Sequence, residues 1–149
     1  MYKKYGMLLA VILFGMFLIY RYSHQESSLF KSIHVGNQSL KVKVADTQSL
    51  RELGLGNRDT LGKADGMLFI FDTPGMYGFW MKDMKFDLDI IWIDQTGKVI
   101  GFEKNVSKNS YPKISYPPNE VRYVLEMNTG SIEKWGIKVG DSMTPLVVK

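Results

Sequence analysis

From residue 33 onward the chain reads mostly in period two. In LKVKVA (residues 40–45) apolar and polar side chains alternate, the signature of a strand with one buried face. Gly36-Asn37 just before it predicts a hairpin turn from a first strand at residues 33–35. GMLFIF and YGFWM are apolar runs separated by DTPG, where Pro74-Gly75 predicts a turn. LDIIWID and KVIGFEKN flank DQTG and predict another hairpin, and EVRYVLEM predicts a further strand. A last strand follows a turn at Gly140-Asp141, and Pro145 places it at a sheet edge. The helical signals are short. DTQSLRELGLG offers Asp46 or Thr47 as a cap, a helix through Leu53 and Gly54 as its stop, while TGSIEKWG predicts a turn or two closed by Gly136. About seven to nine strands with two short helices predict a mainly β fold, a compact β-sandwich or barrel-like domain. Residues 106–119, with two Tyr-Pro pairs, form the one long irregular segment.

The N-terminus follows a different rule. Residues 7–19 are continuously apolar, with Lys3 and Lys4 before them and Tyr20, Arg21 and Tyr22 after. Counting from Tyr5 through Tyr22 gives about 18 residues, or about 27 Å of helix, close to the roughly 20 residues that span a bilayer. The tyrosines would sit at the interfaces and the cations would snorkel outward. A cleaved signal peptide competes with this reading, but Tyr-Arg-Tyr-Ser-His-Gln is a poor cleavage site. A buried core helix is the third alternative. The favoured expectation is an N-terminal transmembrane helix within residues 1–22, a polar tether at 23–32 and a β-rich domain at 33–149. Lys3, Lys4 and the terminal amine outweigh Arg21, so the N-terminus is expected inside and the domain outside.

Composition narrows the function classes. With 45% hydrophobic and 13% aromatic residues in 149, the chain has the material for one packed core. The net charge of +4 suggests nucleic acid only until its distribution is read. Without Lys3, Lys4 and Arg21, 16 basic residues face 15 acidic ones, so no basic stripe remains for a phosphate backbone. There is no cysteine, and the two histidines are His24 and His34. Thiol chemistry, thiolate metal sites and disulfides are therefore excluded. No cofactor or metal is expected.

Two acids stand in apolar strands. On a strand, Asp89 shares a face with Ile91 and Ile93, while Leu88, Ile90 and Trp92 take the other. A run apolar on both faces predicts a central strand and a buried carboxylate in need of partners. Arg58 is the first candidate because its planar fork matches a carboxylate, with Lys82 next and Arg51 behind them. A site role or an exposed strand end are the alternatives for Asp89. Glu126 in VRYVLEMN reads as a surface pair with Arg122, or as a second acid beside Asp89 for acid/base work or a hard cation. Trp80 and Lys82 share a face by alternation, where an indole and an ammonium would grip a ligand. Tyr111 and Tyr116 offer sugar-stacking rings or loop packing. Asn105-Val106-Ser107 matches a glycosylation sequon, a short pattern with many false positives. Neither a nucleophile elbow nor a phosphate-cradling glycine loop occurs.

The ordered blocks VADTQSLRELGLGNR, DGMLFIF, FWMK, LDIIWID and YVLEMNTGSIEKWGIKVGD resemble the domain-of-unknown-function 192 family, from about residue 42 to 141. That resemblance implies a single small β-rich domain, often behind a signal or anchor, and no established activity. The chain departs from the family pattern at Gly56-Asn57, where a methionine is common. It departs again at Asp83-Met84, where Asn-Thr is common, and at Asp87, where proline is common. A site built on that second turn would be altered in shape or charge.

The functional expectation is an outward-facing, membrane-anchored module that binds an envelope glycan or protein, with Arg58, Trp80, Lys82, Asp89 and Glu126 as ligand-binding candidates. A carboxylate-dependent hydrolase or lyase using Asp89 and Glu126 is one alternative, and a structural subunit of a membrane complex is another. The anchor has a direct check. Full-length protein should stay with membranes after carbonate extraction, whereas a chain starting at Ser27 should not, because exposing the apolar segment costs roughly 25 cal/mol per Å². Recovery of native protein lacking the first two dozen residues or so would show cleavage instead.

Overall fold

The computed structural model describes residues 12–17 and 30–146, and the chain divides into a unit at residues 1–30 and a second at 31–149. In the first unit residues 12–17 are helical. No helix among the described residues is long and apolar enough to cross a membrane. Most of the expected span at residues 5–22, and the tether up to residue 29, lie outside the described residues.

The second unit runs β1 (Lys31–Val35), β2 (Gln38–Ala45), α1 (Gln48–Leu53), β3 (Gly66–Gly75), β4 (Phe79–Trp80), β5 (Leu88–Ile93), β6 (Val99–Val106), β7 (Ile114–Ser115), β8 (Val121–Asn128), α2 (Ser131–Trp135) and β9 (Met143–Thr144). Seven strands form one sheet in the order β6-β5-β8-β3-β2-β1-β9, and β4 pairs with β7 in a separate ribbon. Every pairing is antiparallel except β2 with β3, which α1 and the following loop connect in parallel. The sheet curls into a half-barrel rather than splitting into a sandwich. Its two ends are drawn together through residues 140–143. Met143 N–H donates to the Gly97 carbonyl at 2.7 Å and Val99 N–H to the Asp141 carbonyl at 2.8 Å, while β9 pairs with β1.

Local chemistry explains most elements. Thr47 caps α1 by accepting the Leu50 N–H at 3.2 Å, and Gly54 ends the helix at φ +49°. Asp94 organises the β5–β6 turn by accepting the N–H groups of Thr96 and Lys98 on one carboxylate oxygen. Two expectations need correcting. Pro74-Gly75 is not a turn: β3 continues through it to Gly75, with the register to β8 broken between Ile70 and Gly75. That irregularity removes the need for a ladder N–H at proline. Residues 106–119 also contain β7, whose Ser115 and Ile114 pair with Phe79 and Trp80. Strands this short leave little periodic signal.

Apolar residues cover both faces of the sheet. On one face, Ile33, Leu68, Ile91, Tyr123 and Leu125 pack with Ile132 of α2. On the other, Phe69, Ile90, Trp92 and Val124 pack with Leu55, Leu61 and Met81 from the connecting segments. Ile90 and Trp92 are buried as the alternation requires.

Asp89 is fully buried, but it forms no ion pair among the described residues. Its Oδ1 accepts the Asn105 N–H and its Oδ2 the Ile132 N–H, each at 2.9 Å. Across from Asp89 the β6 register slips between Val106 and Glu103, and Asn105 adopts φ +54°. This is a bulge that turns an N–H toward the carboxylate. The second bond caps α2 from a distance, because its N-cap is Gly130 and offers no side chain. Arg58 lies elsewhere. Burial and then the Arg58 charge lower the pKa of Lys43 on β2. Asp89→Asn should therefore destabilise the fold by roughly 2–3 kcal/mol, since one backbone N–H loses its acceptor. Arg58→Met should stay within about 0.5 kcal/mol of the parent. Urea unfolding checks both, and a larger loss at Arg58 than at Asp89 would reinstate the arginine partner.

Candidate functional site

The second apolar face is not fully closed. A cleft of about 290 Å³ opens between α1, the start of β3, and the segment from Tyr77 to Met84, with Glu126 of β8 among the residues lining it. One wall is aromatic. Phe71 stacks on Tyr77 with centroids 3.5 Å apart and planes 8° from parallel, and Phe79 meets Phe69 edge-on at 4.9 Å. Tyr77 is held by donating its hydroxyl to the Thr73 carbonyl at 2.7 Å. Trp80 stands at the mouth, 54% exposed. Gly78 lets the β7 segment pack close, since a Cβ would lie 2.7 Å from the Ile114 side chain and 2.8 Å from that of Tyr116.

The cations differ in how firmly they are held. Arg51, in the last turn of α1, donates Nη1 to the carbonyls of Asp46 at 2.9 Å and Ile70 at 2.8 Å. Its Nη2 lies 3.9 Å from Asp72, and its guanidinium carbon sits 5.2 Å from the Phe71 ring centroid. Lys82 is exposed at the other side of the cleft, with no partner for its ammonium among the described residues.

Glu126 is the unusual group. It is 5% exposed, it faces the cleft, and its carboxyl has no hydrogen bond or ion pair among the described residues. Burial pushes its pKa up to about 8, so the carboxyl is mostly protonated at neutral pH. The surface pair with Arg122 is overturned: Arg122 Nε donates to the Phe71 carbonyl at 3.3 Å instead. The alternation along β8 was sound, but α1 and the Tyr77–Met84 segment cover the face that carries Glu126.

Of the five sequence candidates, Trp80, Lys82 and Glu126 line this cleft, whereas Arg58 and Asp89 do not. The paired acids are also overturned. In the β5–β8 ladder Asp89 lies opposite Met127, and Ile90 lies opposite Glu126. The two carboxyls therefore leave the sheet on opposite faces. Tyr111 and Tyr116 are exposed outside the cleft lining. No group of three or more His, Asp or Glu residues suited to a metal occurs among the described residues. Sequence reasoning missed Arg51 as a cleft residue, along with Phe69 and Phe71.

Comparison with known proteins bears on this cleft. The family model described as Uncharacterized ACR (DUF192) matches residues 31–145. The chain belongs to the domain-of-unknown-function 192 family. No protein in a search of curated proteins matches it. Two solved structures are similar to it. One is a candidate transcription regulator from Sinorhizobium meliloti 1021, with 28% identity and TM-score 0.72, covering 76% of this chain and 92% of that one. The other is a protein of unknown function from Novosphingobium aromaticivorans DSM 12444, with 27% identity and TM-score 0.73, covering 78% of this chain and 85% of that one.

The sequence blocks that resemble the domain-of-unknown-function 192 family converge on the cleft. LRELGLG supplies Arg51 and Leu55, GMLFIF supplies Phe69 and Phe71, FWMK supplies Phe79, Trp80 and Lys82, and YVLEM supplies Glu126. Those blocks were the signal that could have found Arg51. Two positions where this chain departs from the family pattern, Gly56 and Met84, line the cleft as well.

Glu126 makes stability depend on pH in a defined direction. Its pKa is 4.5 in the reference state and about 8 when folded, so between those values the folded chain holds a proton that the unfolded chain releases. This contribution is fully present below pH 4.5 and is lost as pH rises through about 8. Glu126→Gln removes the penalty of a buried charge. It should match the parent near pH 4 and exceed it by on the order of a few kcal/mol near pH 9. Melting curves across that range check this; parallel curves would place the carboxyl in a solvated setting.

Proposed function

We propose that this chain is a binding module for a small organic ligand, with the Glu126 cleft as its site. The largely buried Glu126 side chain, whose carboxyl has no protein partner among the described residues, carries the reading. No buried side-chain oxygen lacks a hydrogen bond there, so the Glu126 oxygens open to the cleft. A ligand in the cleft would find this acid unengaged, in a mostly apolar setting. The aromatic wall, the half-exposed Trp80 and the few polar groups match the usual make-up of small-molecule sites. A volume of about 290 Å³ favours a ligand of one or two rings, such as a glycan unit, over a protein surface. In this reading residues 5–22 hold the domain at the membrane, facing the cell envelope.

A transcription-regulating role, which the Sinorhizobium protein's description raises, draws little support from charge. It needs a basic face, and the near balance of 16 basic and 15 acidic residues outside Lys3, Lys4 and Arg21 leaves none. One observation favours a catalytic second reading. A carboxyl with pKa about 8 is protonated at neutral pH and suits a general acid. It would act without Asp89.

The binding reading is tested at Trp80. Small ring compounds, monosaccharides among them, are screened by chemical-shift changes in the full chain. Those that bind should shift the Trp80 indole and the Glu126 amide. Trp80→Ala should weaken them about tenfold or more while melting within a degree or two of the parent, because an exposed ring contributes little to folding. Binders that leave the cleft resonances in place would sink the reading, and turnover abolished by Glu126→Gln with binding intact would favour the catalytic one.

A further inference from the structure

The charges around the cleft indicate which ligands it accepts. Four residues with formal charge line it: Arg51 and Glu52 of α1, Lys82, and Glu126. Glu52 is engaged, since Gln48 Nε2 donates to its Oε1 at 2.8 Å. Arg51 has its Nη1 bound to two carbonyls, and its Nη2 lies 3.9 Å from Asp72, which answers its charge. Lys82 keeps all three ammonium donors free among the described residues. On the sheet face of Glu126, Met67 and Ile90 stand on either side of it, and beyond them lie Lys43 of β2 and Glu103 of β6, the latter paired with Lys113 at 3.1 Å. Burial is the cause of the upward shift at Glu126. At neutral pH the site therefore combines a mostly neutral acid on its floor with one unpaired ammonium, that of Lys82, among the described residues. A cationic ligand would meet net repulsion and an uncharged acid. An anion would meet attraction and a hydrogen-bond donor.

We propose that the cleft selects small ring compounds bearing a carboxylate, with the ring against the aromatic wall and the carboxylate facing Glu126 and Lys82. This rests on the cleft being a ligand site, as proposed above, and adds the ligand's charge. The protonated Glu126 carboxyl donates a hydrogen bond to the ligand carboxylate, and Lys82 supplies a charge-assisted one. Trp80 and Phe79 cover the ring. Raising the pH removes the Glu126 proton, and two carboxylates then share the cleft without it. Affinity is therefore linked to one proton held by the protein.

The test uses four probes of one size class on the full chain, followed at the Trp80 indole: benzoate, glucuronate, benzyl alcohol and benzylamine. Near pH 6.5 at least one of the two carboxylates should bind about tenfold tighter than the alcohol and the amine. Its affinity should fall by about tenfold per pH unit above pH 8, following the lost proton. Glu126→Gln keeps a donor but cannot ionise, so it should bind within about threefold of the parent at pH 6.5 and show a flat profile to about pH 9. Lys82→Ala should weaken the carboxylate about tenfold with its melting unchanged. Tighter binding of benzylamine, affinity that rises with pH, or loss of carboxylate binding in a folded Glu126→Gln variant would each overturn the proposal. Binding of the alcohol or amine alone at the cleft would overturn this inference and leave the ligand site standing. No shift at the cleft with any of the four would overturn the proposal and count against the ligand site itself.

Discussion

A single carboxylate joins three elements of this fold. Asp89 extends from β5 and takes one backbone N–H from the bulge of β6 and another from the first turn of α2. Without it the bulge would turn an N–H into apolar packing, and α2 would start without a side-chain acceptor. β5 lies between β6 and β8, so this residue also sets how the edge strand meets the middle of the sheet. A charged acceptor bonded by two amides is stronger than a neutral one, and its burial is compensated in place. That accounts for an acid among Leu88, Ile90 and Ile91.

Glu126 is the opposite case. It sits on the neighbouring strand with nearly the same burial, yet no amide or cation reaches its carboxyl among the described residues. The contrast arises from the two faces of the sheet. Behind Asp89 the face is closed by α2 through Ile132, and an N–H comes with it. Over Glu126 the face is covered by α1 and the Tyr77–Met84 segment, which leave a cleft. One acid is spent on the architecture, and the other stays available to a ligand.

The cleft also shows why short elements matter here. β4 and β7 have two residues each, yet their pairing places Trp80 beside Ile114 and brings the β7 segment against Gly78 at the mouth. Arg51 ties α1 to β3 through the Ile70 carbonyl and lies over Phe71, so one cation positions the aromatic wall. Gly56 and Met84 line the cleft as well.

Much of the fold was legible in the chain itself. Alternation in LKVKVA, LDIIWID and EVRYVLEM marked β2, β5 and β8 and assigned their faces, because side-chain direction on a strand depends on position alone. Thr47, Gly54 and Gly136 marked helix ends through local hydrogen bonds and positive φ. The burial of Asp89 followed from its neighbours. Its partners did not, because every residue other than proline carries a backbone N–H and such a donor leaves no trace in residue type. The curl of the sheet, the continuation of β3 past Pro74, and the cover over Glu126 were decided only by tertiary structure. Each depends on which distant segments lie together. The sequence specified where acids, cations and rings stand along each strand, and the packing of the two faces determined which acid was bound into the fold and which was left facing a cleft.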